Sequence, residues 1–249
     1  MMNDALRNMK FFMERLKNLP SSESLTLGDS GGFCVSTRTE EENWIYFPER
    51  VKDVETVRKA AEFFRKHNET ALWPVFDGGN EILTEGGMFH DRQLRAMSLD
   101  SECSVSIRGN DSVTFKAVTT REDSLRWAKS AWLGFDYGVD EPSEDYCEFA
   151  GNLTGCRDFV VCVSVLNGRD AGTFIAVNDD AGLTGVYYFA VIPEMRRKGV
   201  AVSMMNEIRR LSQGKKIVLQ ATESGVPFYS AYGFKDLGGI DVYSTSEQR

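Results

Sequence analysis

Apolar residues recur every three or four positions in some stretches of the chain. In others they alternate or form short solid runs, so helices and strands interleave along the sequence. Near the start, Leu6, Met9, Met13 and Leu16 share one face of an amphipathic stretch that Lys10, Glu14, Arg15 and Lys17 interrupt. Those charges exclude a secretory signal, whose centre is uniformly apolar. Short strands are expected at residues 25–27, 32–37 and 43–47. Pro48-Glu49 leads to a helix in which Val54, Val57, Ala61 and Phe64 face one way. A strand over 70–76 is broken by Asp77-Gly78-Gly79. A helical piece over 80–85 stops at Gly86-Gly87, and 93–99 is extended.

A second series begins with alternation over 112–118. Thr120 precedes Asp123 by three positions, a helix-start signature. Leu125, Ala128, Ala131, Trp132 and Phe135 then line a helix, and 144–153 is a second one. Strands are expected at 159–166, 171–177 and 185–191, the first two joined by Asn167-Gly168, a hairpin turn. A helix over 199–211 turns Val200, Met204, Ile208 and Leu211 inward. Strand 216–221, a short helix over 227–232, Gly233-Phe234 and two closing strands complete the pattern.

A weak repeat runs through this order. Helix 54–66, strand 70–76, a short helix and Gly87-Met88-Phe89 match helix 199–211, strand 216–221, a short helix and Gly233-Phe234. With no low-complexity linker, the expected boundary lies near 108–114, at Arg108-Gly109-Asn110-Asp111, giving domains 1–111 and 112–249.

The 249 residues fit two small domains or one large one. Lys and Arg number 29 against 37 Asp and Glu, a net charge of −8. Such a chain lacks the basic field that nucleic acid requires and suits a cationic substrate better. Cys34, Cys103, Cys147, Cys156 and Cys162 form no CxxC pair, and His67 and His90 are the two histidines. Reduced thiols, a cytoplasmic location and no metal are therefore expected. No apolar run reaches the roughly 18 residues of a membrane span, so no membrane partner is expected.

The informative segment is Tyr187-Tyr188-Phe189-Ala190-Val191-Ile192-Pro193-Glu194-Met195-Arg196-Arg197-Lys198-Gly199-Val200-Ala201. An apolar strand ends at Pro193, three cations follow, and small residues open an amphipathic helix. The first turn of a helix leaves its N–H groups without partners at the positive end of the dipole. Small residues let a ligand approach that backbone, which makes a pyrophosphate cradle. The chain has no GxxxxGK[ST] and no GxGxxG after a strand, which argues against a P-loop or dinucleotide fold.

Val191, Pro193, Arg196, Gly199 and Ala201 match Val-x-Pro-x-x-Arg-x-x-Gly-x-Gly/Ala, and this stretch resembles the acyl-CoA-binding motif of the GNAT superfamily of N-acyltransferases. Downstream, Val226-Pro227-Phe228-Tyr229-Ser230-Ala231-Tyr232-Gly233-Phe234 resembles the second signature of that family. The resemblance covers residues 113–249. It implies an α/β fold with a mixed, largely antiparallel sheet flanked by helices, in tandem with a truncated, degenerate copy at the N-terminus.

It further implies acetyl-CoA as co-substrate. Backbone groups of Phe189 and Val191 would bond the pantetheine arm, and the Phe189 N–H would polarise the thioester carbonyl. N–H groups of Arg197, Lys198, Gly199, Val200 and Ala201 would hold the pyrophosphate, with Arg196 fixing the loop. Tyr229 matches the position of the acid that protonates the departing thiolate, although Tyr232 lies one helical turn away. Glu223, Asp136 and Glu144 are candidates for a base, with no choice among them. The implied reaction is direct attack of a primary amine, from a small molecule or a peptide, in a ternary complex. A non-catalytic CoA-binding regulator and a transferase of longer acyl groups are the competing readings. A homodimer stays open.

The N-terminal copy departs from the motif. Pro48-Glu49-Arg50-Val51-Lys52-Asp53-Val54 places no Gly at its helix start, and Leu83 falls where Tyr229 sits in the other copy. That half is expected to bind no CoA and to act as a structural partner or a wall of the acceptor site. Tyr187-Tyr188-Phe189 could line an acceptor pocket, but core packing is the favoured reading. Trp44, Trp73, Trp127 and Trp132 are expected in cores, and Glu40-Glu41-Glu42 in a solvated loop.

Overall fold

A computed structural model describes residues 4–39, 42–76, 81–102, 107–138 and 141–247. The break at Asp77-Gly78-Gly79, together with Glu40, Glu41 and Cys103, lies outside the described residues. In chain order the elements are α1 (Asp4–Leu16), β1 (Glu23–Leu27), β2 (Gly32–Ser36), β3 (Trp44–Tyr46), α2 (Val54–Arg65), β4 (Leu72–Phe76), α3 (Glu81–Glu85) and β5 (Phe89–Leu99). They continue with β6 (Val113–Ala117), α4 (Arg121–Phe135), α5 (Glu144–Leu153), β7 (Phe159–Leu166), β8 (Arg169–Asn178) and β9 (Leu183–Val191). A 3-10 turn (Pro193–Met195), α6 (Val200–Ser212), β10 (Lys216–Ala221), α7 (Val226–Tyr232) and β11 (Lys235–Ser244) complete the chain.

Two compact units result. One comprises Met1–Met97, Gln220–Pro227 and Asp236–Arg249, and the other Ser98–Leu219 and Phe228–Lys235. The division differs from the single cut expected at 108–114, because the end of the chain returns to the first unit. The final strand β11 pairs antiparallel with β4 from Ile240↔Phe76 to Ser244↔Leu72. Local hydrophobic pattern carries no information about a partner strand more than 160 positions away, so a cut by sequence position misses this return. The two closing strands expected are one. Gly238-Gly239 does not reverse the chain; the Asp236 carboxylate accepts the Gly238 N–H at 2.8 Å and the strand runs on.

The first unit orders its strands β1-β2-β3-β4-β11-β5. Its pairs are antiparallel at β1–β2, β2–β3 and β4–β11 and parallel at β3–β4, where α2 makes the crossover. The apolar face of α2, Val57, Ala60, Ala61 and Phe64, joins Leu27, Cys34, Ile45 and Trp73 in the core. In α1 the buried stripe is Ala5, Met9, Phe12, Met13 and Leu16, with Leu6 at its half-buried margin. Strand β5 begins at Phe89, four residues before the expected start.

The second unit orders its strands β6-β7-β8-β9-β10, antiparallel except for the parallel pair β9–β10, which α6 connects. Helix α4 starts at the expected capping box. Thr120 Oγ1 accepts the Asp123 N–H at 3.2 Å, and the Asp123 carboxylate accepts the Thr120 N–H at 3.2 Å. Asp123 is buried and also meets Lys116 Nζ at 2.5 Å and the Thr119 hydroxyl at 3.2 Å.

Both units therefore share one order, strand–helix–parallel strand–short helix–strand. The match extends to hydrogen bonds. Met88 N–H donates to Leu83 O and Phe234 N–H to Tyr229 O, each at 2.9 Å; Gly87 donates to Thr84 and Gly233 to Ser230, each at 3.0 Å. These bonds align Leu83 with Tyr229 independently of sequence.

Asp123 gives an acid-stability prediction. Lys116 first, then Thr120 and Thr119, hold its carboxyl well below the usual carboxylate range against the opposing effect of burial. A depressed folded pKa contributes stability above the unfolded value, near 3.9, and loses it as pH falls through the folded one. Asp123→Asn is expected to lose about 2 kcal/mol at pH 7. Urea titrations should show that deficit shrinking steadily below about pH 4.

Candidate functional site

Strand β9 is where the second unit opens. It pairs with β10 from Leu183↔Lys216 to Val186↔Leu219, and there the register ends. On its other edge β9 stays with β8 through Val191↔Gly172. Between those edges sits a bulge. Thr173 faces Ala190 and Ile175 faces Tyr187, so Phe174 is opposed by two residues, Tyr188 and Phe189. Tyr188 takes φ +49°, and its carbonyl accepts the Thr173 hydroxyl at 3.0 Å.

The bulge sets the direction of the amides that follow. Ile192 N–H donates to Ala171 O of β8 at 3.0 Å. Strand N–H groups alternate between edges, so those of Val191 and Phe189 face the edge that β10 has left. The tyrosine side chain of the bulge points elsewhere. Tyr188 is buried against Trp127, Phe135, Tyr146 and Phe149, with ring centroids 4.9–6.4 Å away. Of the triplet Tyr187-Tyr188-Phe189, the middle residue thus packs beneath α4 and α5.

The segment after β9 holds the expected cradle residues. Arg197 and Gly199 lie in the left-handed region at φ +61° and +78°. Gly199 is the N-cap of α6 and supplies no capping side chain. The first bond from the helix back to its cap is Ser203 N–H to Gly199 O at 3.1 Å, so the amides of Val200, Ala201 and Val202 precede the ladder. Arg197 and Lys198 are exposed, and among the described residues neither forms an ion pair. Arg196 does different work. Its Nε donates to Val191 O and its guanidinium NH2 group to Gly134 O, both at 3.1 Å, tying the loop to the end of β9 and the last turn of α4. Helix-start amides, two cations and a glycine at the cap together fit a diphosphate.

Tyr229 lies on the Phe189 side of β9. Its ring is 5.9 Å from Phe189, 5.2 Å from Phe228 and 5.4 Å from Phe234, centroid to centroid. Burial pushes its hydroxyl pKa up, and the hydroxyl hydrogen-bonds to no described residue. Tyr232 is the opposite case. Fully buried, it donates to Asn206 Oδ1 at 2.5 Å.

The three candidate bases lie on separate elements. Glu144 is 76% exposed and pairs with Arg121 at 3.0 Å. Asp136 is the left-handed C-cap of α4, and Glu223 is exposed in the turn before α7. Sequence reasoning missed Asn110, Ser203 and Asn206. Asn110 Nδ2 donates to Lys198 O at 2.8 Å across 88 positions, a contact no local pattern signals.

In the first unit the corresponding helix start is closed. The N-cap of α2 is Asp53, whose carboxylate accepts the Thr56 N–H at 2.7 Å and the Thr56 hydroxyl at 3.0 Å. A fixed negative charge occupies the place an anion would take. Beyond Trp44↔Leu72 the parallel strands part, and Phe47 packs on Trp73 at 6.2 Å with Val51 buried in the same core. Leu83 is fully buried.

Residues 157–236 match the family model described as "Acetyltransferase (GNAT) domain". Over those residues the chain is similar to GNAT acetyltransferase domains. Solved structures extend the likeness of fold. A GCN5-related N-acetyltransferase from Kribbella flavida aligns over 100% of this chain and 98% of its own, at TM-score 0.68 and 13% identity. One from Sphaerobacter thermophilus covers 88% and 81% at 0.60 and 13%. A tandem GNAT protein from the clavulanic acid biosynthesis pathway covers 95% and 88% at 0.60 and 11%. No curated protein matches the sequence. No helix among the described residues is long and apolar enough to cross a membrane.

The two tyrosines separate by stability. Tyr232→Phe takes the donor from a half-buried Asn206 oxygen and is expected to cost about 1–2 kcal/mol. Tyr229→Phe removes no protein hydrogen bond and should stay within about 0.5 kcal/mol of the unaltered protein. Urea unfolding of the two variants checks the contrast.

Proposed function

We propose that this protein transfers an acetyl group from acetyl-CoA to a primary amine, with the chemistry confined to the second unit. The observation that carries the reading is the pairing of β9 amides on a deserted sheet edge with an uncapped helix start ten residues on. A pantetheine arm has the alternating amide groups to bond Phe189 and Val191 as an added strand would. The amides from Arg197 to Ala201 then take the diphosphate, with Arg197 and Lys198 supplying positive charge and Arg196 holding the loop.

Bound there, the thioester supplies an activated acyl carbon. The Phe189 N–H is already aimed when negative charge builds on the carbonyl oxygen, and a preorganised donor lowers that barrier. Tyr229 carries its proton at neutral pH as an ordinary tyrosine does, and burial raises its pKa further, so its role is that of a donor to the departing sulfur. The amine attacks directly in a ternary complex. Cys34, Cys147, Cys156 and Cys162 form no disulfide, and burial pushes Cys34 and Cys162 up to about 12, which suits packing better than acyl carriage. These thiols also support a cytoplasmic location. The acidic chain favours encounter with a cationic acceptor, a small molecule or a peptide. With Asp53 and Leu83 in place of an open cap and a tyrosine, the first unit binds no coenzyme.

Calorimetric titration with coenzyme A tests the binding half of this reading, and thiol release from acetyl-CoA with pooled amines tests the other. Tyr229→Phe is expected to lower turnover roughly 100-fold while leaving coenzyme A affinity within about twofold. Coenzyme binding with no thiol release from any pool would support a binding protein instead.

A further inference from the structure

We infer that Asn110 is a positioning residue for the diphosphate loop, aiming its amides through the carbonyl of Lys198. The inference rests on the reading of residues 197–201 as a coenzyme A cradle. Asn110 lies ahead of β6, outside the 157–236 segment that matches the family model. Its Nδ2 donates to Lys198 O at 2.8 Å, and its Oδ1 accepts the Ser112 N–H at 2.9 Å, so both ends of the amide are held. Its backbone is pinned as well. Asn110 N–H donates to Ser203 Oγ at 2.8 Å, and that hydroxyl donates to Asn110 O at 3.2 Å.

Peptide geometry turns this brace into direction. The 198–199 peptide is trans and planar, so its C=O and N–H point opposite ways. With Lys198 O fixed on Asn110, the Gly199 N–H is aimed away from Asn110. A carbonyl left to rotate would present its negative end to an incoming anion. The close approach also explains the glycine. A Cβ on Gly199 would lie 3.1 Å from Asn110 Cβ and 3.3 Å from Asn110 N, on a residue already at φ +78°. Gly109 serves the same contact, since its Cβ would lie 2.4 Å from Ser203 Oγ. One turn further along α6, Asn206 Nδ2 donates to Ile107 O at 3.0 Å, so the segment grips two turns of the helix.

Calorimetry on the full chain tests this with two ligands, coenzyme A and pantetheine, the second titrated in competition with the first. Asn110→Ala is expected to weaken coenzyme A about tenfold and to leave pantetheine, which lacks the diphosphate, within about twofold. Asn110→Asp keeps the shape and the Ser112 bond but cannot donate to Lys198. It should weaken coenzyme A at least as much, and it carries the test if Asn110→Ala does not fold. Wild-type affinity for coenzyme A in both variants, or equal losses for both ligands, would overturn the inference. No heat from the unaltered protein would overturn the cradle itself, and the role of Asn110 with it.

Discussion

A backbone N–H inside a sheet has to find an acceptor, and β9 loses one side of its supply after Val186. Everything distinctive in the second unit follows from how that deficit is arranged. The bulge at Tyr188 and Phe189 shifts the strand by one residue. It keeps Ile192 on β8 and turns Phe189 and Val191 toward the vacated edge. It also buries Tyr188 under α4, where an exposed ring would otherwise cross the opening. A strand without the bulge would hand these amides to β8 and turn their neighbours to the vacated edge instead.

The two copies show what decides whether such an opening persists. Both have a parallel strand pair spanned by a helix, and in both the pair parts after a short register. In the first unit Phe47 and Val51 fill the space and Asp53 caps the helix with a carboxylate. The capping bond stabilises α2 by about 1 kcal/mol, while the same position in α6 is a glycine that caps nothing. Stability and anion affinity compete for the same amides. In the first copy a carboxylate takes up those amides, and in the second they are left open.

Much of this was legible in the sequence, and the illegible part has a physical boundary. Helix faces, the Thr120 cap, the Asn167-Gly168 hairpin and the strand-to-helix run at 189–201 are encoded within a few residues of themselves. The strands of the second unit fall where alternation puts them, and Leu83 and Tyr229 occupy equivalent turns. What local pattern could not carry was pairing over distance. The return of β11 to β4 made one strand of two and moved the boundary. Asn110 was placed at the domain boundary and given no role, because its partner lies 88 positions on. Tyr229 and Tyr232 looked alike until one hydroxyl was found on Asn206 and the other on no described residue.

Net charge and local charge point in opposite directions here, and distance reconciles them. The chain carries −8, yet the reading requires it to hold a polyanion. At physiological ionic strength exposed charges farther than about 8 Å are largely screened, so the anion experiences the loop and little else. Of its three consecutive cations, Arg196 is committed to the carbonyls of Val191 and Gly134 and fixes shape. Arg197 and Lys198 stay exposed and supply charge. A chain of net negative charge can thus present a positive local field, provided the basic residues are few, adjacent and close to the helix start.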